Sequence, residues 1–153
     1  MITVETCTND EEFLREVRIN GLLQYNMEKT GGKLREPDFD ICYVARDGSG
    51  GVVGGVQGST YLHALEVDVL WTHEAYRGQG LASRLLQKAE RDAVEAGCVL
   101  SHLTTYSFQA PRFYEKQGYQ VCGKIDGFPE GICLYVLKKH LGEGRKADDS
   151  VRE

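Results

Sequence analysis

Residues 75–93 read AYRGQGLASRLLQKAERDA. Gly78 and Gly80 stand directly ahead of an amphipathic run with apolar positions Ala82, Leu85, Leu86, Ala89 and Ala93. That spacing predicts a helix over about 80–96, with Gly97 as its stop. A helix start leaves its first N–H groups without partners, and the macrodipole makes that end attractive to anions. The two glycines bare the approach, small Ala82 keeps the first turn open, and Arg77 adds positive charge at the flank. The stretch reads as a pyrophosphate cradle built from backbone donors, though glycine is also the default residue of any tight turn. It is not G-x-x-x-x-G-K-[ST], and Ser83 breaks G-x-G-x-x-G, which argues against ATP or a dinucleotide on those folds.

Around this helix the chain alternates strand and helix signals. ITVET (Ile2–Thr6) alternates like a short strand, and Thr8 with Glu11 forms a capping box. Phe13, Leu14, Val17, Leu22, Leu23 and Met27 then continue a helical stripe, with Gly21 as a break between two helices. The polar stretch from Thr30 to Asp40, with Lys33, Arg35, Glu36 and Asp38, reads as a loop, either a plain connection or a rim over a site. ICYVARD and GVVGGVQGS flank a DGSGG turn as a hairpin. YLHALEVDVLWT (Tyr61–Thr72) follows as one long strand. Its even parity, Leu62, Ala64, Glu66, Asp68 and Leu70, carries two carboxylates; its odd parity, His63, Leu65, Val67, Val69 and Trp71, is an ordinary buried face. Beyond the helix come the strand VLSHLTTY, a short helix opened by Pro111 and ended by Gly118, and the strands YQVCGKI and GICLYVLKK. The order β-α(α)-β-β-β-α-β-α-β-β predicts an α/β (or α+β) domain over 1–141 with one mixed sheet. Residues 142–153 are charged, without apolar periodicity, and read as a frayed tail.

Length and composition narrow the function classes. A chain of 153 residues is most simply one domain. The net charge of −5, from 18 basic and 23 acidic residues, argues against nucleic acid as a partner and is compatible with a cationic small molecule. No apolar run suits a bilayer, and the N-terminus lacks a secretory signal. The five cysteines form no C-x-x-C pair, so neither a zinc site nor a redox motif is suggested. A cytoplasmic location is the expectation.

The residues in the cradle also carry a resemblance. Arg77-Gly78-Gln79-Gly80-Leu81-Ala82 resembles the [RQ]-x-x-G-x-[GA] signature of the GNAT superfamily of N-acetyltransferases. Ala110-Pro111-Arg112-Phe113-Tyr114-Glu115-Lys116-Gln117-Gly118-Tyr119 resembles that family's A-x-x-[FL]-Y-x-x-x-G-[FY] segment. The element order matches from the first strand to Leu137. The resemblance implies a mostly antiparallel mixed sheet of six to seven strands, splayed at strands 4 and 5 and flanked by about four helices. It implies acetyl-CoA as acyl donor, with no metal. The backbone of Leu70, Trp71 and Thr72 would bond the pantetheine arm like an added strand. Residues Arg77, Gly78, Gln79, Gly80, Leu81 and Ala82 would take the diphosphate, with Ala110 and Ser107 on the donor side. Thr72 departs from the apolar β-branched residue usual there, and Ser107 stands where many members carry Asn.

Acetyl transfer to an amine needs a base for the nitrogen's proton, a donor for the oxyanion and an acid for the leaving thiolate. The resemblance makes Tyr114 the acid facing the CoA sulfur; a phenol is protonated at neutral pH, as that role requires. Glu66 matches the strand position of a catalytic Glu in some branches. Asp68 shares its face, and either carboxylate, or a water relay, is the candidate base; the pair also suits a cationic acceptor. Thr104, Thr105 and Tyr106, at the end of the next strand, are candidates for an acceptor pocket. His63 and His73 read as structural or surface residues. Nothing activates a cysteine, so direct attack in a ternary complex is favoured over an acetyl-cysteine intermediate.

The reading is therefore an acetyltransferase acting on a small amine, such as a polyamine, amino acid, aminoglycoside-like antibiotic or amino sugar. The alternatives are a non-catalytic acyl-CoA sensor on the same fold and a protein amine as acceptor. A homodimer is compatible with this fold.

Overall fold

The structure, a computed structural model, describes residues 1–32 and 38–142. Lys33, Arg35 and Glu36 of the expected loop, and the expected tail from residue 143 on, lie outside the described residues. Contacts gather the chain into two units, Met1–Arg35 and Glu36–Glu153.

The first unit is one helical segment: α1 (Asp10–Glu12), a wider-wound stretch over Phe13–Leu23, and α2 (Gln24–Thr30). Three of the sequence expectations are corrected here. Ile2–Thr6 forms no strand, because five alternating residues with no hairpin partner have nothing to bond. The cap is Asn9 rather than Thr8: its Oδ1 accepts the Glu12 N–H at 3.1 Å, and three acidic residues follow in the first turn, where the macrodipole favours them. Gly21 does not divide the helix, since the winding runs through it to Leu23. Glu16 with Asn20 and Gln24 with Glu28 pair at one-turn spacing along this segment and support it locally.

The second unit is a six-stranded sheet with helices. Its strands are β1 (Asp40–Arg46), β2 (Val52–Tyr61), β3 (Ala64–Thr72), β4 (Leu100–Tyr106), β5 (Gln120–Ile125) and β6 (Leu134–His140). They lie in the order β1-β2-β3-β4-β6-β5, antiparallel except for the β3–β4 pair. Helix α3 (Leu81–Glu95) makes the β3–β4 crossover, and α4 (Pro111–Lys116) follows β4. The expected stripe of α3 is the buried one: Leu85, Leu86, Ala89 and Ala93 pack against Val56, Leu65, Val67 and Leu103 of the sheet. Burying each of these larger side chains contributes about 1.5–3 kcal/mol. Cys98 and Cys133 are buried thiols, in keeping with Cys as a small core residue. Below this core, Lys139 of β6 pairs with Glu90 of α3 at 2.6 Å, and Ser101 Oγ bonds the Tyr119 hydroxyl at 2.8 Å.

The long strand Tyr61–Thr72 is not continuous. Leu62 and His63, with φ of 50° and 59°, form a two-residue hairpin turn between β2 and β3. No Gly or Asn marks it, so the turn is silent in the sequence. A β-bulge also interrupts β3. Gln57 pairs with Val69 and Gly58 with Val67, which leaves Asp68 as the extra residue. Gly58 permits this close approach, because a Cβ there would lie 2.4 Å from the Glu66 carbonyl oxygen. The bulge inverts the alternation. Leu65 and Val67 face the core before it; Leu70, packed on the core, and buried Thr72 face it afterwards. Glu66, Asp68, Val69 and Trp71 are all exposed and share the opposite face. Leu70 thus leaves the parity on which the carboxylates were read, while Glu66 and Asp68 remain together.

Candidate active site

The β3–β4 ladder runs only from Ala64↔Leu100 to Val67↔Leu103, although β3 continues to Thr72 and β4 to Tyr106. The last residues of both strands therefore diverge. In the opening lies a cleft of about 720 Å³, bounded by the end of β3, the loop after β4 at residues 108–110 and the starts of α3 and α4. The expected splay is here, at the fourth and fifth strands if Ile2–Thr6 is counted as the first.

The cleft gathers most of the expected donor-site residues. Leu70, Trp71 and Thr72 form its β3 wall; Arg77, Gly78, Gly80, Leu81 and Ala82 form one end; Ala110 and Tyr114 stand across from them. Gly78 and Gly80 adopt φ of +74° and +78°, a conformation that L side chains rarely take. A Cβ at either would meet nothing within 4 Å, so these positions open onto free space rather than onto packed neighbours. The Arg84 N–H closes the first turn of α3 onto the Gly80 carbonyl at 3.0 Å, and no side chain caps the helix. Among the described residues, the N–H groups from Gly80 to Ser83 make no hydrogen bond of ordinary geometry within the protein. Arg77 Nε donates to the Thr72 carbonyl at 3.1 Å, which fixes the guanidinium between strand end and turn. The Thr72 hydroxyl is buried in the wall with no partner. Unbonded amides at a bare helix start, flanked by an arginine, fit a diphosphate; the one-sided β3 backbone beyond Val67 fits an extended amide-bearing arm.

Tyr114 is held from several sides. Its ring meets Phe113 at 5.1 Å and Tyr119 at 5.9 Å, both edge-on, and it packs on the core. Gln117 Nε2 donates to Ser83 Oγ at 2.9 Å, tying the α4 end to the first turn of α3. Burial raises the Tyr114 pKa above that of an ordinary phenol, so the hydroxyl keeps its proton through neutral pH.

Four of the expected residues stand outside the cleft. Gln79 turns from the cleft, its Nε2 donating to the Ala75 carbonyl at 3.3 Å. Ser107 is spent on structure: its N–H donates to the Cys133 carbonyl at 2.8 Å and its hydroxyl accepts the Cys133 N–H at 3.2 Å. Glu66 sits inside the ladder opposite His102, whereas Asp68 occupies the bulge where the strands part. Both are exposed on the sheet face away from α3. Thr105 is buried on the α3 side, with Thr104 and Tyr106 on the other. The residues that sequence reading missed are Tyr76, Ser83, Phe108, Gln109 and Phe113. Gln109 shapes the loop: its Oε1 accepts the Tyr106 N–H at 2.7 Å and the Thr105 hydroxyl at 3.1 Å. Its place between a strand end and Ala110-Pro111 was the available signal.

Among the described residues no three His, Cys, Asp or Glu side chains come together as a metal site would need. No helix among them is long and apolar enough to cross a membrane. An open sheet is parted between two parallel strands, with unbonded amides at a helix start on one side of the opening and a half-buried tyrosine on the other, an arrangement that suits acyl transfer.

Comparison with known proteins agrees. Residues 38–121 match the family described as the acetyltransferase (GNAT) domain. The chain is 42% identical over 93 residues to blasticidin-S acetyltransferase of Streptomyces morookaense, covering 60% of this chain and 68% of that one. A crystal structure of an acetyltransferase from Bacillus cereus ATCC 14579 superposes with a TM-score of 0.79 at 34% identity, covering 91% of this chain and 97% of the other. A candidate streptothricin acetyltransferase of Bacillus anthracis str. Ames, in complex with acetyl coenzyme A, shares the fold at 20% identity, with a TM-score of 0.60 over 72% of this chain and 66% of that one. This chain belongs to the GNAT acetyltransferase family, and the protein is an acyltransferase.

Proposed function

We propose that the protein transfers an acetyl group from acetyl-CoA to a primary amine of a small molecule, by direct attack in a ternary complex. The observation that carries this reading is the row of unbonded amides at Gly80–Ser83, which opens into the same cleft as Tyr114. The similarity to blasticidin-S acetyltransferase supports a small-molecule acceptor.

In this reading the diphosphate rests on the α3 start and the pantetheine arm lies along the backbone of Leu70–Thr72. The neutral nitrogen attacks the thioester carbonyl. A C–N bond forms and the C–S bond breaks; one proton leaves the nitrogen, and one reaches the thiolate from Tyr114. Backbone N–H groups near Leu70–Thr72 stabilise the oxyanion, an effect worth about 3–4 kcal/mol per well-placed donor. Glu66 or Asp68, directly or through water, accepts the nitrogen's proton.

A thiol-release assay with acetyl-CoA against a panel of primary amines tests the reading, and product mass identifies the modified nitrogen. The expected result is stoichiometric thiol and acetyl-amine with at least one acceptor. Binding of acetyl-CoA without release from any amine would replace the enzyme reading with that of an acyl-CoA sensor.

A further inference from the structure

The bulge and the parted strands also build something on the face away from α3. Trp71, 46% exposed, leaves the end of β3 on that face, and Tyr106 leaves the diverging end of β4. Tyr106 is not alone. Phe108 stacks on it at 5.5 Å with an interplanar angle of 6°, and Phe128 meets it edge-on at 5.4 Å and 89°. The three rings come from a strand end, the loop behind it and the loop before β6, so the fold converges on this cluster from separate segments. Phe108 is 67% exposed and also lines the cleft that holds Tyr114. A large ring left in water beside a reaction cleft forgoes its burial, and it offers a flat surface for a ligand to cover.

The charges on this face are ordered. Asp68 stands at the point of parting, and Glu66 one step back in the ladder; opposite Glu66, His102 of β4 is paired in turn with Lys138 of β6. Glu66 and Asp68 thus share this sheet face with the aromatic cluster. A negative charge near exposed ring faces suits a cation that carries a flat group.

We propose that the acceptor is an organic amine bearing a planar π-system, a heteroaromatic ring or a guanidinium group, and that Phe108, Tyr106 and Phe128 form the wall on which that planar part stacks. The proposal rests on the acetyl-transfer reading and specifies its acceptor class. Phe128 is the residue to change, because it supports the wall without lining the donor cleft.

The test compares three amines of similar size, carrying a heteroaromatic ring, a guanidinium group or only an aliphatic chain, with the wild type and Phe128→Leu. The wild type prefers one or both flat acceptors, and Phe128→Leu lowers the ratio of flat to aliphatic kcat/KM about tenfold, through KM. Which flat amine loses more tells ring stacking from guanidinium stacking. Equal kcat/KM for flat and aliphatic amines in the wild type, or an equal loss for both in the variant, would overturn the wall while leaving acetyl transfer intact. Trp71 is the only tryptophan of the chain and stands on the facing arm, so its fluorescence reports flat amines without turnover. Saturable quenching by flat but not aliphatic amines, with no thiol released, would keep the wall and remove the acetyl-transfer reading. No quenching by any flat amine would remove the wall.

Discussion

The two ends of the β3–β4 pair have opposite fates. At the zipped end Leu65, Ser101 and Leu103 are essentially fully buried, and every register position from Ala64 to Val67 has a β4 partner. At the parted end Val69 and Trp71 are about half exposed, and the β4-facing backbone has no strand beside it. The zipped end holds the core together; the parted end leaves backbone donors and acceptors for something else to satisfy. The bulge residue Asp68 marks the boundary between the two ends, and the chain places a helix start beyond the open one. A sheet edge inside a protein is ordinarily a liability, and here it lies beside the cradle and Tyr114.

The contrast can be broken most sharply at Tyr114. Tyr114→Phe removes the hydroxyl while keeping the ring contacts with Phe113 and Tyr119, so kcat falls about 100- to 1,000-fold while the acetyl-CoA affinity measured by calorimetry stays within about threefold. A matching loss of affinity would make the residue a packing element of the cleft instead. Next, the double change Glu66→Gln with Asp68→Asn removes both candidate bases and lowers kcat/KM about 100-fold in steady-state assays. A loss under about fivefold would leave proton removal to water alone.

At the zipped end the expected effect is on stability. Lys139→Met strands Glu90, whose Oε1 already has no hydrogen-bond partner, in a buried place. That costs about 3 kcal/mol in urea unfolding, whereas Ser83→Ala at the parted end costs less than about 1 kcal/mol. Equal costs would erase the distinction between the two ends. The smallest expected effect concerns pH. Tyr114 must be protonated to act as acid, and burial raises its pKa, so its working range extends upward. kcat therefore rises with pH as the acceptor amine loses its proton and does not decline through the ordinary phenol range near pH 10. A fall centred below that range would assign the acid role to a different group.

Much of this was legible in the chain. Alternating and 3.6-periodic patterns placed β1, β2, α3 and β4 within about two residues, because each buries one face against the same core; Pro111 and Gly118 marked α4, and β5 and β6 were found with ends shifted by up to about three residues. The turn ahead of α3 was legible because Gly78 and Gly80, at φ of +74° and +78°, hold a conformation that L side chains rarely take. What stayed hidden was whatever depends on a partner strand. The Leu62–His63 turn carries no turn residue, and the bulge at Asp68 exists only in the register with Gly58. Gln79 and Ser107 were read by position, yet their side chains bond the backbone of Ala75 and Cys133, the first within the same turn and the second 26 residues away. The aromatic cluster of Tyr106, Phe108 and Phe128 draws on residues 106–128 and is assembled only by folding.

The central claim is that bare amides at the start of α3 hold the donor's diphosphate. Calorimetric titration with acetyl-CoA of the wild type, Gly80→Leu and Gly97→Ala tests it directly. Gly97, with φ of +94° at the far end of the same helix, controls for backbone strain. The account predicts one site in the wild type, near-wild-type affinity in Gly97→Ala, and a loss of about 100-fold in Gly80→Leu. Wild-type affinity in a folded Gly80→Leu would contradict it.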